Sequence, residues 1–240
     1  MKNSTALKSL VAISLFLSGQ AFCQNGGFSL GSTRVIYDGS KDSASITVIN
    51  SDKAHSFLAQ SWIDNYSPAS SNAVSGEKAP FIITPPLYRQ DEGKNTLRIM
   101  RTGGNLPTDR ESAFWLNVKA IPGSSDDLSN KNTVQFAYVL RVKLFYRPEG
   151  LADKNDPTEA YKHLAFSQKG NHLEAKNSTP YFITLHSIHV NGKEIKDVSA
   201  MVPPMGVQDY SLPENTRVKS VNYQAVNDLG GLFEPLAYAF

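Results

Sequence analysis

Val134-Gln135-Phe136-Ala137-Tyr138-Val139-Leu140-Arg141-Val142-Lys143-Leu144-Phe145-Tyr146-Arg147-Pro148 reads as one long β-strand. Val, Phe, Tyr and Leu dominate it, and neither Gly nor Pro interrupts it before Pro148. Side chains alternate between two faces along a strand. One face carries Val134, Phe136, Tyr138, Leu140, Val142 and Leu144. The other starts with Gln135 and Ala137 and ends in Arg141, Lys143, Phe145 and Arg147. A strand this long and apolar is a hazard at a sheet edge, because it offers a template to any other chain. Two readings stay open: a central strand, or an edge kept for a partner strand.

The chain around it reads as all-β. Short alternating segments precede it at Ser29–Tyr37, Ser43–Asn50, Ser56–Asn65, Phe81–Thr84, Thr96–Arg101 and Ala113–Ile121. Turn chemistry separates them, as in Asp38-Gly39-Ser40, Asn50-Ser51-Asp52 and Gly103-Gly104-Asn105. Seven strands in about 120 residues match an immunoglobulin-like sandwich. Pro148–Glu159, with Pro148, Gly150, Pro157 and several charges, is the linker candidate. A second β pattern follows at Leu164–Ser167, His172–Ala175, Phe182–Val190, Lys193–Val198, Val207–Ser211, Val218–Val226 and Leu232–Phe240. Asn191-Gly192 between two apolar runs signals a hairpin. The expected architecture is two β-sandwiches in series, 24–148 and 149–240, with a turn or two of helix over Pro157–His163.

Residues 1–23 have the layout of a secretory signal peptide: Lys2 and Lys8, an apolar middle through Leu17, then Ser18, Gly19 and Ala21. Cleavage is expected after Ala21 or after Cys23. No later segment suits a transmembrane helix. Losing the leader removes Lys2 and Lys8 and no acid, which brings the 24 basic residues level with the 22 acidic ones. A neutral chain argues against nucleic-acid binding, which needs a net basic surface. Cys23 stands alone, so no intramolecular disulfide is available and the exported protein must rely on its packed cores.

Enzyme chemistry is not visible. There is no Gly-rich phosphate loop, no G-x-S-x-G elbow and no nucleophile arrangement. His186 and His189 sit three apart in an expected strand and would point to opposite faces, so a shared metal is not expected. Asn65-Tyr66-Ser67 and Asn177-Ser178-Thr179 fit a short glycosylation pattern that often arises by chance. The interesting polar residues are cations inside strands: Arg34, on the face of Leu30 and Ile36, and Lys143 between Val142 and Leu144. An in-strand cation is costly unless it is paired or reaches water. It either snorkels at a strand end or helps to hold an anion such as a carboxylate.

Leu106-Pro107-Thr108-Asp109-Arg110-Glu111-Ser112-Ala113-Phe114-Trp115-Leu116-Asn117-Val118-Lys119-Ala120-Ile121-Pro122 resembles, from end to end, the signature of the periplasmic pilus-assembly chaperones of Gram-negative bacteria. Thr33–Tyr37, Phe81–Pro86, Lys143–Pro148 and Val202–Gly206 agree with the same family in the same order. The resemblance, to the P-pilus and type 1 fimbrial chaperones, covers almost the whole mature chain. It implies two immunoglobulin-like domains set at an angle, and a chaperone rather than an enzyme. It implies that Arg34 and Lys143 hold the C-terminal carboxylate of a pilus subunit. Val134, Phe136 and Tyr138, with Leu140 as an extension, map onto the residues lent to the subunit's open groove. Lys143 lies on the opposite strand face from these donors, so a twist or bulge is expected between them. Glu111, Arg147 and Asp228 map onto an interdomain charge network; otherwise they would be surface ion pairs of little value. The short connection Pro122–Thr133, with no cysteine pair near it, resembles the short-loop subclass. The implied partners are pilus or fimbrial subunits and an outer-membrane usher, with self-association of the free protein through the donor strand. No nucleic acid, no membrane insertion, no metal and no cofactor is implied. The competing readings are a secreted adhesion or receptor module, with the long strand buried, and an exported hydrolase.

Overall fold

The computed structural model describes residues 26–67, 78–123, 134–154 and 156–240. The expected leader, its cleavage site and most of the Pro122–Thr133 connection lie outside them.

Two immunoglobulin-like β-sandwiches follow each other along the chain. The first contains β1 (Phe28–Leu30), β2 (Arg34–Asp38), β3 (Ala44–Asn50), β4 (Phe57–Asn65), β5 (Phe81–Thr84), β6 (Leu87–Gln90), β7 (Gly93–Arg101), β8 (Ser112–Pro122) and β9 (Tyr138–Arg147). One sheet has the order β1-β3-β7-β5 and the other β2-β9-β8-β4-β6. Alternation decides which residues lie between them. Val35, Tyr37, Ile46, Val48, Leu97, Ile99, Leu116, Val118 and Leu144 point inward and are buried in one core.

The segment expected as a single strand over Ser29–Tyr37 is two strands in two sheets. Its first part, β1, pairs antiparallel with β3, and its second, β2, pairs parallel with β9. The chain crosses between the sheets at Gly31, whose amide donates to Thr47 O at 2.8 Å. A Cβ on Gly31 would stand 3.1 Å from the Thr47 Cβ, so the crossing favours glycine. Arg34 therefore shares a strand face with Ile36 but not with Leu30.

The quoted strand is also shorter than expected. It begins at Tyr138, opposite Ala120 of β8, and residues 134–137 precede it without strand pairing. Its register against both β8 and β2 runs without a shift, so no bulge interrupts Tyr138–Arg147. Parity is kept throughout. Even-numbered residues from Leu140 to Tyr146 face the core, and Lys143 faces away from it.

The connection carries a short helix, α1 (Leu151–Lys154), and a 3-10 turn over Ala160–His163. The second sandwich packs β10 (Leu164–Lys169), β11 (His172–Asn177), β12 (Leu185–Val190), β13 (Lys193–Glu194), β14 (Gly206–Ser211), β15 (Ser220–Ala225) and β16 (Leu236–Ala239). Its sheets are β10-β11-β14 and β13-β12-β15-β16. Leu173, Ala175, Ile188, Val202, Val221 and Tyr223 form its core. The Asn191-Gly192 hairpin is present: both residues have positive φ, 52° and 79°, between paired His189–Glu194 and Val190–Lys193. Three expected strands are cut short, Leu232–Phe240 among them, which is reduced to β16. Ile183 makes only an isolated bridge to Val202 before β12 begins, and after β13 a side-chain turn at Asp197 and Ser199 leads the chain out of the sheet.

Candidate functional site

Arg34 and Lys143 are Cα partners in the parallel β2–β9 ladder. Because Val35 and Leu144 point into the first core, both cations point out of the sheet on one side, toward the second sandwich. Lys143 Nζ donates to Thr184 Oγ1 at 3.3 Å. The Arg34 guanidinium lies 5.9 Å from the centre of the Phe145 ring, which is 6.0 Å from the Phe182 ring. Arg34 Nε is buried and has no hydrogen-bond partner among the described residues. Neither cation snorkels freely. Burial, helped by the charge of Arg34, pushes the Lys143 ammonium down to about 8. Burial also lowers Arg34, opposed by the carboxylates of Asp228 and Glu111. Two half-buried like charges side by side make a place where an anion is stabilised.

A second group of charges lies beside the first. Arg147 Nε donates to Glu111 Oε1 at 2.9 Å, and its Nη2 donates to Asp228 Oδ2 at 2.9 Å. Glu111 precedes β8, Arg147 ends β9 and Asp228 sits in a turn beyond β15, so the group joins the two sandwiches. Two more bonds from Glu111 help: its Oε2 accepts the Phe182 amide at 2.9 Å, and its own amide donates to Pro180 O at 2.9 Å. Arg147 stacks over Tyr181 at 5.0 Å. The Glu111 and Arg147 side chains are only 3% and 13% exposed, which sets this pair apart from ordinary surface ion pairs, whereas Asp228 is 44% exposed. Burial pushes Glu111 up to about 7 against the pull of Arg147 and the Phe182 amide. Burial opposes the charge on Arg147 too, but Glu111 and Asp228 outweigh it and its pKa rises.

The third feature is apolar. Val134 and Phe136 are 79% and 77% exposed, and Tyr138 and Val139 are exposed as well. Leu140 and Val142 are partly buried against the first core, and Leu144 is wholly buried. Tyr138 and Leu140 share the parity of the core face of β9, and the exposed apolar side chains of Val134 and Phe136 precede them in the chain.

Several residues at this site gave no sequence signal. Thr184 and Phe182 meet Lys143 and Phe145 from the second sandwich. Tyr66 stacks with Trp115 at 5.4 Å and Phe182 at 6.0 Å, and its hydroxyl accepts the Met201 amide at 3.3 Å. Arg141 lies over Trp115 and donates to Asn117 Oδ1 at 2.8 Å. Only three-dimensional proximity links these positions. The glycosylation pattern at Asn177 is closed off, because that side chain is 1% exposed and donates to Tyr181 O and Pro203 O.

Known proteins share this architecture. The family model for the pili and flagellar-assembly chaperone PapD N-terminal domain matches residues 27–152. The one for the pili assembly chaperone PapD C-terminal domain matches residues 159–235. The probable fimbrial chaperone LpfB of Escherichia coli O157:H7 is 46% identical over 226 residues, covering 93% of this chain and 92% of that protein. Among solved structures, the Salmonella enterica SafA pilin in complex with the SafB chaperone matches with a TM-score of 0.77 at 30% identity, over 90% of this chain and 98% of that one. The periplasmic chaperone SfaE matches with a TM-score of 0.72 at 38% identity, over 89% of this chain and all of that one, 100%. With both sandwiches matched in order and nearly the full length aligned, this chain belongs to the PapD-like pilus and fimbrial assembly chaperones, a non-enzymatic family.

Proposed function

We propose that this protein works in the periplasm after export, captures pilus or fimbrial subunits, completes their fold with its own strand and hands them to an outer-membrane usher. One observation carries the reading. The exposed apolar side chains of Val134 and Phe136 lead directly into Tyr138 at the start of β9, and the same strand bears Lys143 beside Arg34. A subunit strand laid along β9 would find main-chain partners, an apolar stripe at one end and two cations at the other. From Val134 to Lys143 the extended chain spans about 30 Å, the reach of a long strand. Each large apolar side chain newly buried there contributes roughly 1.5–3 kcal/mol. The subunit's terminal carboxylate would meet Arg34 and Lys143, whose charges burial leaves under-compensated.

Parity supports the same picture. Tyr138 and Leu140 share the parity of the core face, so a client groove placed over them would extend the chaperone's own core. The cations lie on the other face, where the second sandwich helps to enclose a chain end. In this reading the client-binding domain is 24–148 and the second domain 149–240. Glu111, Arg147 and Asp228 fix one against the other. Energy for assembly comes from subunit folding in the fibre. The adhesion-module reading needs the long strand buried, and the exposure of Val134 and Phe136 counts against it.

Arg34→Ala and Lys143→Ala, assayed by subunit pull-down and circular dichroism, test the anchor. The expected result is a folded protein that no longer retains a subunit. Normal capture by the double variant would remove the anchor from the account. N-terminal sequencing of periplasmic protein tests export and should begin at Phe22 or Gln24.

A further inference from the structure

This inference rests on the carboxylate-anchor reading above and concerns the charge of that site. Five ionisable side chains meet between the sandwiches: Arg34, Lys143, Arg147, Glu111 and Asp228. Arg34 and Lys143 stand side by side on β2 and β9. Arg147 is shared by the other two. These are not two independent clusters. Arg34, Glu111, Arg147 and Asp228 line one small cavity of about 30 Å³. Arg34 and Asp228 also line one end of an open groove of about 550 Å³ that runs along β2 to Asp38 and Lys41.

The two carboxylates differ in what holds them. Glu111 is buried, is gripped by Arg147 and accepts the Phe182 amide, so it is committed to joining the sandwiches. Asp228 is 44% exposed and meets Arg147 through one oxygen, Oδ2, while lying on the groove that Arg34 lines. Its charge acts on Arg34 as well as on Arg147. The cluster holds three basic side chains and two acidic ones. With all five ionised, three cations face two carboxylates, and one positive charge is left over.

The geometry points to a second role for Asp228: it is the counter-charge that limits the client site to a single carboxylate, and so a specificity-determining residue for a singly charged chain end. A chain-terminal carboxylate brings the cluster to neutrality. A dianion overshoots it and meets Asp228 across the groove. With Asp228 neutral, two positive charges remain and the preference passes to more highly charged anions. Asp228 thus costs affinity and gains selectivity. A role confined to holding the domains together predicts the opposite sign: its loss loosens the cleft and weakens every anion.

The test uses the full mature protein and a synthetic peptide of about nine residues with alternating leucines, made as the free acid and as the C-terminal amide. Titration calorimetry at one fixed pH near neutrality gives both affinities. Asp228→Asn should bind the acid about two- to fivefold more tightly, the scale of one half-exposed charge, and leave the amide unchanged. Asp228→Glu should restore the wild-type value. Sulfate should compete with the acid peptide more strongly in Asp228→Asn than in the wild type. Wild-type protein alone provides a second check that needs no variant to fold: acetate and sulfate should compete about equally. Weaker acid binding by a folded Asp228→Asn, or sulfate competing more than about tenfold better than acetate in the wild type, would overturn the inference. If Arg34→Ala keeps the difference between acid and amide, the anchor reading has failed. If Arg34→Ala abolishes it and Asp228→Asn changes nothing, only the counter-charge role has failed.

Discussion

At the scale of single residues, Lys143 shows a conflict between stability and use. Its pKa falls from 10.5 to about 8 because burial and Arg34 both oppose its charge. Between those values the unfolded chain holds more protons than the folded one, so stability rises with pH across that window, and below about 8 the full cost is present. Lys143→Met should therefore make the free protein more stable at neutral pH, by about 1–3 kcal/mol, in a denaturant titration. The same variant should lose client capture. Client affinity of the unaltered protein should fall as pH rises through about 8, where the ammonium loses its proton. An affinity that stays flat across that range would separate Lys143 from the anchor. Arg34 and Lys143 stood out in the sequence as cations inside apolar strands, but snorkelling explained them as well, and only family resemblance favoured an anion site. Thr184, which meets Lys143 from another sandwich, did not stand out, since an ordinary threonine near the start of a strand carries no local signal.

Among the elements, β9 is the one with two functions. Its C-terminal part is a packed central strand between β2 and β8, and its N-terminal continuation is exposed. The central-strand alternative thus holds for the C-terminal part, and the edge kept for a partner is what we propose for the exposed part. The alternation was legible, but the point where pairing stops was not. β8 runs on to Pro122 while its ladder with β9 stops at Ala120 opposite Tyr138, and no change in β-propensity along Val134–Leu144 marks that point. The split of Ser29–Tyr37 into β1 and β2 was hidden for a similar reason: only Gly31 marks it, and the partner at Thr47 is remote. Phe136→Glu should leave the melting temperature of the free protein within a degree or two, as expected for a fully exposed site, yet abolish subunit binding, because the charge is desolvated without a partner in the complex. Tyr138→Glu should act likewise with a somewhat larger effect on stability, since Tyr138 is 40% exposed against 77% for Phe136. A change at Gln135 should matter much less. Unfolding of the free protein by Phe136→Glu would make this an ordinary core segment.

For the whole molecule, the relation between the sandwiches depends on Glu111, Arg147 and Asp228 together with the aromatic contact of Tyr66 and Phe182. The charges were legible through family resemblance. Tyr66 was visible only as part of a chance glycosylation pattern, because its partners Trp115, Phe182 and Met201 come from three distant stretches. Glu111→Ala leaves Arg147 half-buried and deprives the Phe182 amide of its acceptor, so it should cost about 3–5 kcal/mol. Asp228→Ala removes a half-exposed partner and should cost about 1 kcal/mol or less. Thermal melts of the two variants should rank them in that order, with small-angle scattering reporting any loosening between the sandwiches. The central claim is that the free protein leaves residues 134–137 without strand pairing and 138–140 paired to β8 alone, and that a client pairs along this segment. Amide hydrogen exchange across this segment, in the free protein and in the complex that co-purifies from periplasm, measures this directly. The account predicts fast exchange at Val134, Phe136 and Ala137 in the free protein and strong protection in the complex. Protection already present in the free monomer, or no change on capture, would contradict it.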